Sequence, residues 1–322
     1  MPLECAAIHP SKAYLKQLFE ELTPAERMEN DEYGRTIAHF AAASTTPDCL
    51  EYLIEQDFPF ATPDKFKLTP LIQAARFGRH RNIRPLLRHL SKGDLPNTEF
   101  ADQTLLRQRW RPLHYAAYFG HAETCRELID CGATVETLES SSRATPLLFA
   151  AQRGHIDCVR TLIEHGKADP EVVDKFGRTP LHLASINGKY DVAKYLLQDI
   201  GVNADAADTS HNRPIHYAAG FGYLRLLRLL IEVGEADPAS FNVWRTTACS
   251  VANLKGHISI VQHLLTECNI DVNFKDQDGK TLLHHCVEEA VCNKLEAEQV
   301  LRKARLLISK NANPNIQTVE GI

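Results

Sequence analysis

Histidine and cysteine are the residues here whose spacing first suggests chemistry. His39, His114, His182, His216 and His284 share one local frame, with Thr or Arg three places earlier and an apolar or small residue immediately before. Imidazole is a common metal ligand. Yet His182, His216 and His284 are separated by 34 and 68 residues, which puts them one per unit of a long repeat rather than around one ion. His284-His285-Cys286, with Cys292 nearby, is the nearest approach to a zinc cluster. Adjacent residues of a helix project about 100° apart, so such ligands do not converge easily on a tetrahedral ion. No metal site is expected.

Nucleophile and phosphate motifs are also missing. The sequence has no Gly-x-Ser-x-Gly, no Gly-x4-Gly-Lys-Ser/Thr, no Gly-x-Gly-x-x-Gly and no His-Glu-x-x-His, the patterns that pose a serine, a phosphate cradle or a zinc pair. Neither a catalytic residue nor a cofactor is expected. The nine cysteines include no Cys-x-x-Cys, which suits reduced thiols acting as small hydrophobes in a cytoplasmic or nuclear setting.

The elements that must hold these residues are clearest around residues 177–201. Thr179 is a good N-cap and Pro180 fits the first helical position. Gly188 supplies the positive φ that ends a short helix. Val192, Leu196 and Leu197 then give a second helix its apolar stripe. The pattern recurs. An anchor column reads Ala38, Leu71, Leu113, Leu147, Leu181, Ile215, Cys249 and Leu283, in steps of 33, 42, then 34 throughout. Three places on stand Ala41, Ala74, Ala116, Ala150, Ala184, Ala218, Ala252 and Cys286. Two places before stand Thr36, Thr69, Arg111, Thr145, Thr179, Arg213, Thr247 and Thr281, and Gly78, Gly120, Gly154, Gly188, Gly222 and Gly256 close the internal units.

This signature resembles the ankyrin repeat family. The resemblance covers residues 31–316 and implies an all-α solenoid of helix-turn-helix repeats with short finger turns. It also implies that the column histidines hydrogen-bond the backbone of an adjacent turn. Composition agrees with an ordered chain, 44% hydrophobic and 24% charged, and no apolar run has the length of a membrane span. The N-terminus carries no basic stretch followed by an apolar one, so it is not a signal peptide.

Residues 1–30 are read as a capping helix, over 11–22 with Ser11 at its N-cap, and a linker over 23–30. Eight repeats fill 31–316. The 42-residue step implies an insertion of eight, with irregular structure within 91–109. A second insertion, near 288–300, predicts that the second helix of repeat eight starts near Asn293, with Glu296 completing a capping box and Val300, Ala304, Leu307 and Ile308 on one face. Residues 317–322 read as the start of a ninth repeat, so the chain is expected to be a fragment whose eighth repeat gains stability from the ninth.

In the resembled family, partners are gripped by finger-turn tips and by the solvent side of the first helix. At finger turns stand Tyr33, Phe66, Trp110, Phe176 and Trp244, with Lys65, Lys175 and Arg178 beside them. At first-helix ends stand Arg76, Phe77, Tyr118, Phe119, Arg153 and Phe221. Large aromatics and Arg are typical interface anchors. Phe77, Trp110, Tyr118, Phe119 and Arg153 are the expected centre, extended by Phe176 and Phe221. Residues 76–111 carry nine basic and three acidic side chains against a net charge of −5 for the chain, so Arg76, Arg107 and Arg109 are expected to steer an acidic partner. The expected function is a protein–protein interaction scaffold, monomeric, binding a peptide or domain on a concave face, with no catalysis, nucleic-acid binding or membrane insertion. The alternative is a regulatory ankyrin region of a larger enzyme or membrane channel.

Overall fold

The structure is a computed structural model and describes residue 7 and residues 12–91, 110–292 and 297–319. Among the described residues the regular elements are helices, apart from an isolated bridge between Phe241 and Thr247. The chain divides into two units, Met1–Lys175 and Phe176–Ile322.

The first unit opens with α1 (Lys12–Glu21), which packs on the second helix of repeat one. Its buried Leu15 and Phe19 face that helix, and Phe19 meets Tyr52 and Phe58 edge-on at 5.7 and 6.3 Å. The segment read as a linker contains a short helix, α2 (Pro24–Arg27), because Thr23 and Glu26 form a reciprocal capping box. Helix pairs follow: α3 (Ile37–Ala43) with α4 (Asp48–Glu55), α5 (Pro70–Arg76) with α6 (His80–Leu90), and α7 (Pro112–Phe119) with α8 (Ala122–Asp130). The fourth pair is α9 (Pro146–Arg153) with α10 (Ile156–Arg160), which runs into a π-helical turn over Thr161–His165.

First helices pack on first helices, α3 on α5, α5 on α7 and α7 on α9. The small residues of the alanine column allow that approach, and Ala41, Ala74, Ala116 and Ala150 are fully buried together with the anchors Leu71 and Leu113. Each unit of the stack therefore closes the apolar stripe of its neighbour. Residues 92–109, where the first insertion falls, lie outside the described residues.

The second unit repeats the arrangement. Its first helices are α11 (Pro180–Ile186), α13 (Pro214–Gly220), α15 (Ala248–Leu254) and α17 (Leu282–Cys292). Its second helices are α12 (Tyr190–Tyr195, continued by a π-helical turn over Leu196–Ile200), α14 (Leu224–Glu232), α16 (Ile258–Thr266) and α18 (Ala297–Ser309). The insertion in repeat eight is shared between its helices. Helix α17 has 11 residues where α15 has 7, and α18 has 13 where α16 has 9. Asn293 and Glu296, the expected start of the second helix, lie outside the described residues. Among the described side chains of α18, Lys303 and Leu307 are buried, while Ile308 is exposed. The buried line runs at i, i+4 through Lys303 and Leu307, and Ile308 sits one helical step, about 100°, away from it.

The histidine column links successive repeats. In the first unit, His39 Nδ1 accepts from the Thr36 N–H while Nε2 donates to the Leu68 carbonyl, each at 3.0 Å. His114 does the same with Arg111 and Thr137. In the second, His182 Nε2 reaches the Asn212 carbonyl at 3.1 Å and His216 Nε2 the Thr246 carbonyl at 3.2 Å. His284 Nδ1 accepts from the Thr281 N–H, and no partner of its Nε2 is found among the described residues. Burial lowers the pKa of His114 and of His216 to about 4, against the help of the carbonyls they bind.

Candidate functional site

The ends of α5, α7 and α9 carry the residues expected at the centre of a binding surface. The ends of α5 and α7 are each held by a side chain of the next repeat. His121 Nε2 donates to the Arg76 carbonyl at 2.9 Å, and His155 Nε2 to the Tyr118 carbonyl at 3.0 Å. These imidazoles lie against the glycines at the helix ends. Gly120 has φ +84°, and a Cβ there would meet His155 Nδ1 at 2.7 Å. The glycine thus serves both the left-handed backbone and the close approach of the ring. The backbone under Arg76, Phe77, Tyr118 and Phe119 is in this way fixed by groups one repeat away.

On this frame the side chains of Arg76, Phe77, Trp110, Tyr118, Phe119 and Arg153 form one connected cluster. The Arg76 guanidinium lies 5.7 Å from both the Phe77 and the Phe119 ring centroids. Phe119 meets Tyr118 edge-on at 5.2 Å, and Arg153 lies 4.6 Å over the other side of the cluster, on the Tyr118 ring. Such cation–π contacts contribute about 0.5–1 kcal/mol each when exposed. Phe77 and Phe119 keep 46% and 40% of their surface exposed. Neither Arg76 nor Arg153 has a carboxylate partner among the described residues.

Trp110 corrects the expectation of a finger-tip position. It directly precedes the N-cap Arg111 of α7 and is half-buried. Its ring packs on Phe149 at 4.5 Å, Tyr115 at 5.1 Å and Tyr118 at 5.2 Å. The finger-tip column runs two residues earlier, through Tyr33 and Phe66 in this unit. Those two rings stack at 6.1 Å as a separate exposed pair. Lys65 is engaged beside them, its amine donating to the Glu32 carbonyl at 2.7 Å, and Lys175 likewise donates to the Ser141 carbonyl. Arg107 and Arg109 lie outside the described residues.

In the second unit the structure places the remaining candidates in separate local settings. Arg178 lies 4.7 Å over the exposed Phe176 ring. Phe221 stacks on Tyr223 at 6.3 Å. Trp244 is exposed on a finger with Phe241 and Val243, and Arg245 lies over both Phe241 and Phe274.

Three buried first-helix residues, of which Tyr115 and Phe149 pack on Trp110, are not evident from the sequence. Gln73, Tyr115 and Phe149 stand two places after the anchors Leu71, Leu113 and Leu147, and all three are buried. Burial pushes the Tyr115 hydroxyl up to about 12. Gln73 Nε2 donates to Asp64 at 3.4 Å, while its enclosed Oε1 has no donor among the described residues. The repeat register does carry a signal for them: the same column holds Tyr217, whose hydroxyl donates to Asp208 at 2.5 Å, and His285, bonded to Asp276 at 2.8 Å.

Other concavities carry less chemistry. A cavity of about 520 Å³ lies against α17, lined in part by Leu283, His284, Val287, Pro314 and Val319. Among the described residues no three His, Cys, Asp or Glu side chains are grouped to hold a metal ion, and no helix is long and apolar enough to cross a membrane.

Comparison with known proteins agrees with this architecture. The family described as ankyrin repeats (3 copies) matches residues 3–98, 85–174, 113–208, 166–242 and 215–318. A stretch of 106 residues, 32% of this chain, is 30% identical to a poly [ADP-ribose] polymerase tankyrase of Caenorhabditis elegans. That stretch is 5% of the tankyrase's length. Ankyrin repeats are in general non-catalytic protein-interaction modules. With the helix pairs, the histidine ties and a family match running from residue 3 to residue 318, the chain belongs to the ankyrin repeat family.

Proposed function

We propose that this chain is a protein–protein interaction scaffold, and that its partner docks on the ends of α5, α7 and α9. The observation that carries the reading is the cluster of two exposed phenylalanines flanked by two arginines without carboxylate partners among the described residues. Folding does not require apolar area in that place, and connected exposed aromatics with arginine are the composition of interface centres. Tyr33 with Phe66, and in the second unit Phe176, Arg178, Phe221 and Trp244, are further candidate contacts. The partner is a peptide or domain combining acidic and apolar groups.

Phe77→Ala with Phe119→Ala is the informative variant, because both rings are exposed, whereas Tyr118 also supports Trp110. Against a partner obtained by pull-down, the double variant is expected to bind about 2–4 kcal/mol more weakly with an unchanged circular dichroism spectrum, its melting temperature lowered only by the loss of the ring contacts to Arg76 and Tyr118. Wild-type affinity in that variant places the site elsewhere. The tankyrase match supports a second reading, in which these repeats are the regulatory, partner-binding region of a larger enzyme. The full-length open reading frame decides between the two.

A further inference from the structure

The cluster has an internal order that narrows what it can hold, provided it is the docking surface proposed above. Arg76 and Arg153 are its two ends. Between them the groups succeed one another as guanidinium, phenylalanine, tyrosine and guanidinium, at steps of 5.7, 5.2 and 4.6 Å. The two positive charges therefore stand no more than about 15.5 Å apart, within the reach of four to five residues of extended chain at about 3.3 Å each. In an extended chain alternate side chains share a face, so residues i, i+2 and i+4 point the same way over about 13 Å.

We propose that the α5–α7–α9 surface recognises an extended peptide of the form acidic–x–apolar–x–acidic. Its two carboxylates pair with Arg76 and Arg153, and the apolar side chain between them rests on Phe119 and Tyr118. Charge complementarity selects the peptide: each guanidinium already has one face on a ring and keeps its N–H edge for a planar carboxylate. Period-two alternation selects the spacing. The same three side chains in adjacent positions fall on opposite faces and cannot meet all three groups at once.

The test uses the whole chain and two fluorescein-labelled peptides of identical composition, with cores Glu-Ser-Phe-Ser-Glu and Ser-Glu-Phe-Glu-Ser. Fluorescence anisotropy is expected to show the first binding at least tenfold more tightly. Replacing either Glu of the first core by Gln weakens binding to the wild type several-fold. In Arg76→Ala one of these two replacements has no further effect, and in Arg153→Ala the other has none. Both arginines are exposed, so the variants are expected to keep the wild-type circular dichroism spectrum and to lose only the stability of their ring contacts. Equal affinity for the two cores, no binding up to millimolar peptide, or displacement by a single-stranded oligonucleotide at lower concentration than by unlabelled peptide each overturns the spacing rule. If the two cores bind equally while Phe77→Ala with Phe119→Ala still weakens a pulled-down partner, the rule alone falls. If that double variant leaves the pulled-down partner unaffected, the docking surface falls with it.

Discussion

At the scale of single residues, His114 and His216 carry a stability that depends on pH. Each ring is neutral in the folded chain, one nitrogen accepting and the other donating, and burial holds the pKa near 4. The unfolded chain takes up the proton near 6.5. The folded-state value is the depressed one, so the contribution is whole above about pH 6.5 and is lost as pH falls from there towards 4. Between pH 7.5 and pH 5 each histidine is expected to withdraw about 2 kcal/mol, and burial lowers His39 in the same direction. Urea denaturation at the two pH values measures the change. His216→Asn is expected to be less stable at pH 7.5 and to lose about 2 kcal/mol less on acidification. An unaltered pH dependence in that variant would show that the proton goes elsewhere. The column itself is legible in the sequence, because a 34-residue period sets which residues are equivalent. What the period does not give is the direction of a side chain. Trp110 sits a few residues from the finger tips in sequence, but its ring turns onto Tyr115, Tyr118 and Phe149. That cluster depends on two consecutive first helices, α7 and α9, packing side by side, which no single repeat encodes.

At the scale of elements, the glycine column reports two separate demands. Gly120 needs φ +84°, and a methyl group placed on it would stand only 2.7 Å from His155 Nδ1. Gly201 needs φ +75°, but a methyl group there would have nothing within 4 Å. Gly201→Ala is therefore expected to cost only the left-handed backbone strain, about 1 kcal/mol. Gly120→Ala adds displacement of the ring that holds the Tyr118 carbonyl, and is expected to cost about 2–4 kcal/mol. Denaturant midpoints of the two variants compare them directly, and equal costs would remove the imidazole contact as a cause. Helix starts are readable from Thr-Pro pairs. The eighth repeat is less so: counting gives the eight extra residues, but apportioning them between α17 and α18 depends on where each helix finds burial. Lys303 illustrates this. It is 3% exposed with its amine on the Asn253 carbonyl at 2.9 Å, in the role that His257 has towards Gly220. A lysine in that role has no signature that a repeat pattern reveals.

At the scale of the whole molecule, charge is the property that sequence and structure apportion differently. The chain carries −5 in all, yet residues 76–111 are strongly basic. Structure compensates one of these charges by an ion pair and ties another to backbone. Arg79 Nε donates to the Ala43 carbonyl at 2.7 Å, and Arg84 pairs with Glu127 at 2.5 Å. Arg81 and Arg88 remain exposed on α6 without an ion pair among the described residues. They lie on a second helix, away from the ring cluster in the repeat pattern, so their action on an acidic partner is through space. The Debye length is about 10 Å at 0.1 M salt, and charges of this kind change the rate of encounter more than the lifetime of the complex. Arg81→Glu with Arg88→Glu is expected to lower the association rate of an acidic partner about tenfold in roughly 50 mM salt, and to approach the wild-type rate in roughly 500 mM salt. The dissociation rate and the melting temperature are expected to stay as they are. Stopped-flow association at the two salt concentrations separates the cases. A faster dissociation with an unchanged association rate would mean that α6 touches the partner directly, and the surface on α5, α7 and α9 would then have to extend around the repeat.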